Sequence, residues 1–74
     1  MKRAPFRILI RIEGDRRVLR ATSEREAAIK AESVLRRYDV LPGGAGLIIE
    51  ASDTRASARI AAYLADVALE MEIA

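Results

Sequence analysis

The chain has 74 residues, 51% of them apolar and 32% charged, with no cysteine, no histidine and a formal net charge of +2. That length bounds one domain with a marginal core. The composition excludes a disulfide staple or a structural metal held by Cys and His, and argues against disorder.

Phe6, Ile8, Ile10 and Ile12 alternate with Arg7, Leu9, Arg11 and Glu13, the period-2 pattern of a half-buried strand. Gly14-Asp15 predicts a two-residue hairpin turn with glycine at the position needing positive φ. That turn sets Ile10 opposite Leu19 and Ile8 opposite Ala21 on a core face. On the other face it sets Arg7 opposite Thr22, Leu9 opposite Arg20, Arg11 opposite Val18 and Glu13 opposite Arg16. The outer face is then arginine interleaved with Leu9 and Val18.

Ser23-Glu24-Arg25-Glu26 predicts a capping box that opens a first amphipathic helix running to about Arg37. Ala27, Ala31, Val34 with Leu35, and Tyr38 form its apolar stripe, and Glu26/Lys30 and Glu32/Arg36 make i,i+4 pairs. Pro42 to Gly46 reads as a loop. Leu47–Ala51 is a short, nearly continuous apolar run and predicts a central strand covered by helices. Ser52-Asp53-Thr54 offers a second N-cap, and Ala56, Ile60, Ala61 and Leu64 form the buried stripe of a second helix.

The tail supports two readings. Val67, Leu69, Met71 and Ile73 alternate with Ala68, Glu70, Glu72 and Ala74, which favours a C-terminal strand because every large apolar side chain then lies on one side. The alternative is a continued helix, since these are good helix formers and no glycine or proline intervenes. The expected architecture is a single α+β domain over residues 1–74, β-β-α-β-α with a C-terminal β. A small, mostly antiparallel sheet carries two helices on one face.

No apolar run approaches the roughly 18 residues of a membrane span, and Arg7 and Arg11 interrupt any signal-peptide core. A soluble cytoplasmic protein that makes no membrane contact is expected. Gly43–Gly46 lacks the Gly-Lys-Ser/Thr of a phosphate loop and precedes a strand, so it predicts a plain connection. Glu50, Asp53, Glu70 and Glu72 could serve acid–base chemistry, but strand-end and capping roles account for Glu50 and Asp53. No histidine activates Ser23, Ser33, Ser52 or Ser57. No enzyme activity, catalytic residue, metal or cofactor is expected.

Charge is what the chain does display. Met1–Arg20 holds seven basic residues against two acidic, whereas Ala21–Ala74 holds six against nine. The candidate partner-binding set is therefore Arg7, Leu9, Arg11, Arg16, Arg17, Val18 and Arg20. Its expected partner is a protein or ribonucleoprotein with an acidic surface. Direct nucleic-acid binding by the same hairpin is the alternative, although base-stacking aromatics are missing. Exposed strand edges also admit a second copy of the chain. A tail strand beside the first would place Glu70 and Glu72 across from Arg7 and Arg11 and neutralise part of the set; a tail helix would leave it free.

The hairpin Phe6–Thr22 followed by the helix Ser23–Tyr38, about half the chain, resembles the small phage-encoded anti-CRISPR proteins. The resemblance implies a non-enzymatic inhibitor acting in the bacterial host cytoplasm, one that covers the nucleic-acid-binding surface of a CRISPR effector complex. It transfers no functional residue. Members of that group are often acidic mimics of DNA, and the basic hairpin departs from that habit.

Overall fold

The computed structural model describes residues 5–40, 46–51 and 53–73. Five elements follow in order: β1 (Phe6–Ile12), β2 (Asp15–Ala21), α1 (Glu24–Tyr38), β3 (Gly46–Ala51) and α2 (Thr54–Ile73). The strands form one antiparallel sheet in the order β2-β1-β3, and both helices pack on one face of it. The fold is α+β, as expected. The tail is not a strand: Val67–Ile73 is the last part of α2. Helix-forming residues with no breaker between them extend the helix, and Val67 joins the core while Leu69 and Ile73 stay outside at 58% and 86% exposure.

The hairpin turns at Glu13-Gly14 rather than Gly14-Asp15. Both residues have positive φ, 48° and 88°, as a type I′ turn requires, and its twist matches that of the strands. The ladder therefore slips by two residues from the expected pairing: Arg7 faces Arg20, Ile8 faces Leu19, Leu9 faces Val18 and Arg11 faces Arg16. A slip of two keeps every side chain on its expected face but changes its neighbours. On the face away from the helices Leu9 now pairs with aliphatic Val18 and the arginines pair with arginines, while on the helix side Ile10 faces Arg17 and Ile12 faces Asp15.

β3 is an edge strand, not the central one. β1 occupies the centre, with Ile49 opposite Ile8 and Leu47 opposite Ile10 on the core side. Ile8, Ile10 and Ile12 of β1 and Ala21 of β2 meet Ala27, Ala31 and Leu35 of α1 and Ile60 and Leu64 of α2. Alanines on α1 let its backbone approach the sheet. The five largest fully buried side chains, Ile8, Ile10, Leu35, Ile60 and Leu64, each contribute about 1.5–3 kcal/mol by burial. On α2 the buried set is Ala56, Ile60, Leu64 and Val67; Ala61, expected among them, is exposed.

Ser23 caps α1: its hydroxyl accepts from the Glu26 amide at 3.1 Å. Glu26 reaches back to the Thr22 amide and hydroxyl at 3.4 and 3.3 Å, one residue further than a capping box predicts. Asp53 caps α2, its carboxylate accepting from the Arg55 amide at 2.9 Å. Ser23→Ala leaves one helix amide without its acceptor and is expected to cost about 1 kcal/mol, read as a lower denaturant midpoint. Ser23→Thr should keep most of that stability.

Candidate functional site

The face of the sheet opposite the helices is open. The register sorts its side chains into three rows running across the strands. The middle row is Val18–Leu9–Ile48, wholly aliphatic. On one side lies Arg20–Arg7–Glu50, and on the other Arg16–Arg11–Gly46. Strands lie about 4.8 Å apart and same-face residues about 6.8 Å apart along a strand, so the two arginine pairs stand roughly 13 Å from each other with the apolar row between them. Val18 is 38% and Ile48 51% exposed, and Leu9 is half-buried between them.

Arginine directly opposite arginine is an unfavourable cross-strand arrangement. Among the described residues no ion pair relieves it: Arg7, Arg11, Arg16 and Arg20 have no carboxylate within salt-bridge distance, and Glu50, opposite Arg7 in register, makes no such contact either. Gly46 makes room for Arg11. A Cβ built on that glycine would come within 3.3 Å of the Arg11 Cβ and 3.5 Å of its Cδ, so the arginine stem lies across β3.

The structure brings together six of the seven residues expected to bind a partner: Arg7, Leu9, Arg11, Arg16, Val18 and Arg20. It separates Arg17, which sits opposite Ile10 on the helix side of the sheet. There its guanidinium lies 5.0 Å from the centre of the Tyr38 ring and donates to the Tyr38 hydroxyl. Neighbours in a strand point to opposite faces, so Arg16 and Arg17 cannot share one. The contributions of Ile48 and Glu50 do not follow from a central, helix-covered strand, which is what the apolar run predicts for β3. A charged residue within that run was the signal that one of its faces is open.

The tail's acidic groups do not reach this face. Glu70 accepts from Arg36 at 2.7 Å, and Arg36 also donates to Glu32 at 2.7 Å. Glu24 receives a two-armed contact from Arg59 at 2.7–3.0 Å, Glu26 pairs with Lys30 at 3.2 Å, and the Tyr63 hydroxyl donates to Glu32. The hydrogen bond from Arg59 holds the Glu24 carboxyl below the ordinary carboxylate range, that from Lys30 does the same to Glu26, and those from Tyr63 and Arg36 do so to Glu32. The bond to Glu32 pushes the Tyr63 phenol up. Each of these carboxyls binds its proton less tightly folded than unfolded. The stability they add is therefore complete above about pH 4.5 and drains away as pH falls through their lowered values. Thermal melts from pH 7 to 3 should show that loss, and Arg59→Gln should flatten part of it.

A shallow groove of about 370 Å³ between the helices is lined by Glu24, Arg25, Ile29, Arg59 and Tyr63. Glu24 is committed there to Arg59, and Tyr63 to Glu32. Among the described residues no cluster of three metal-ligating side chains occurs, and no helix is long and apolar enough to cross a membrane. Lys2, Arg3, Ser52 and the Pro42–Ala45 part of the expected loop lie outside the described residues.

The chain matches no family model, no curated protein and no solved structure.

Proposed function

We propose that this chain is a non-enzymatic binding protein, a small inhibitor or adaptor that docks its open sheet face on a protein or ribonucleoprotein partner and blocks it. One observation carries the reading: an aliphatic row, Val18–Leu9–Ile48, bounded by two cross-strand arginine pairs that make no ion pair among the described residues. Planar cations beside apolar contact area are the composition of a protein interface. The complementary surface is an apolar anchor flanked by carboxylates. In its anti-CRISPR-like form the reading places the protein in a bacterial cytoplasm against an effector complex. A basic face cannot imitate DNA, so blocking there works by occupying an acidic surface rather than by filling a positively charged groove.

Direct nucleic-acid binding is the second reading, and the arginine pairs favour it because guanidinium groups suit phosphates. The middle row argues against a single-stranded platform, since Val18, Leu9 and Ile48 offer no aromatic ring for bases to stack on.

Tagged protein exposed to nuclease-treated bacterial lysate is expected to retain a defined protein species. An Arg7→Glu/Arg11→Glu/Arg16→Glu variant with an unchanged circular dichroism spectrum should not retain it. Equal retention by both sinks the proposed face. Gel shifts of duplex or single-stranded oligonucleotides at low salt, lost in that variant, would assign the face to nucleic acid instead.

A further inference from the structure

The two edges of the sheet are built differently. β2 carries Asp15, Arg16, Arg17 and Arg20 among its seven residues, whereas β3 carries Glu50 as the single charge in Gly46–Ala51. An exposed edge offers a row of unpaired backbone groups to any strand that fits. Proteins usually blunt it with charge, proline, a bulge or a cover. β3 has neither proline nor lysine, and β1 is its one strand neighbour among the described residues.

A second observation lies on the helix above that edge. Helical spacing sorts α2 into flanks. Arg59, Tyr63 and Glu70 bond to α1, while Ile60, Leu64 and Val67 are buried toward the sheet. The flank turned away from α1 is left with Ser57, Ala61, Ala65 and Ala68, all small and half-buried or exposed, with Glu72 at its C-terminal end. α2 packs over β3 whereas α1 packs over β1 and β2, so this small-residue flank lies on the side of the β3 edge, which has no further strand among the described residues.

We propose that β3 pairs antiparallel with β3 of a second copy of this chain, giving a two-fold dimer with one continuous six-stranded sheet. Pairing strands about 4.8 Å apart draws the helices above them together, and helix approach is limited by the side chains at the contact. A flank of small residues is what such an approach requires.

Charge fixes the register. Setting Ile48 across from the partner's Ile48 keeps both open faces on one side and brings Glu50 opposite the partner's Gly46. The space above that glycine holds an arginine stem, because Arg11 lies across Gly46 within its own chain. Glu50, which makes no ion pair among the described residues, then meets the partner's Arg11, and the two-fold axis makes the contact twice. The aliphatic row doubles in length across the axis. This interface uses the edge and not the face, so it does not rest on the docking function proposed above.

Sedimentation equilibrium over a concentration series tests it. The expected result is a dimer mass for the wild-type chain. Glu50→Arg and Arg11→Glu should each weaken the dimer by about tenfold or more, and the double variant should recover it. Ala65→Arg, on the helix flank, should dissociate it with the circular dichroism spectrum unchanged. A monomer mass at every concentration overturns the proposal, as does a dimer equally tight in Glu50→Arg and Ala65→Arg. A double variant no tighter than the single ones overturns the register.

Discussion

Leu35→Ala is expected to remove a large share of the protein's folding stability and to move its denaturant midpoint well below that of the wild-type chain. Leu35 is fully buried where α1 meets the sheet and α2. Its truncation removes about 2–5 kcal/mol through lost transfer energy and the cavity left behind. A domain of this length has a total stability of roughly 4–11 kcal/mol. Its neighbours offer little relief, because Ala27 and Ala31 have no length with which to fill the space. Guanidinium titration followed at the helical signal reads the loss directly. Ile73→Ala is the control: that residue is 86% exposed, and the midpoint should move by no more than about 0.5 kcal/mol. A midpoint for Leu35→Ala within error of wild type would mean that the helices are not packed as described.

The other large effect falls on partner recognition. Leu9 is the centre of the open face, with Val18 and Ile48 on either side and an arginine pair above and below. Central residues of an interface, desolvated on docking, carry most of the binding energy. Leu9→Asp places a carboxylate there, both removing the anchor and repelling an acidic partner. Retention of the partner should fall by about thirtyfold or more, a loss of at least 2 kcal/mol. Arg17→Ala separates geometry from composition. It removes an arginine of the same hairpin from the opposite face, and should leave retention unchanged while detaching Tyr38. If Arg17→Ala proves as damaging as Leu9→Asp, bulk charge and not the face governs binding.

The strands, the first helix and both helix caps were legible because each rests on a local rule: alternation, apolar spacing, or a capping oxygen before a helix. The hairpin register was not. Gly14 satisfies either the first position of one turn type or the second of another, and the two choices differ by two residues. Both put the same residues on the same faces, so the alternation of Ile8, Ile10 and Ile12 could not separate them. The cross-strand partners of the arginines were lost with it. The tail failed for another reason. Sorting large apolar residues onto one side assumes that all of them are buried, and Leu69 and Ile73 are not. At β3 a nearly continuous apolar run suggested a central strand covered by helices, although only Leu47 and Ile49 pack toward the core. Of the candidate site, alternation alone fixed Arg7, Leu9 and Arg11 on one side. It also separates Arg16 from Arg17, which bulk charge counting had merged.

The ion pairs within and between the two helices bear on how fast the proposed docking would occur. Glu24, Glu26, Glu32 and Glu70 are each held by a cation of the helical layer, so their fields largely cancel within a few ångströms. Among the described residues the sheet side has no such ion pairs. A molecule of modest net charge therefore behaves as an oriented dipole, helices neutral and sheet positive. At physiological salt this field extends about 8 Å, far enough to turn the protein during the last moments of an encounter. Association should be fast and slow steeply with added salt, while dissociation, governed by the aliphatic row, barely changes.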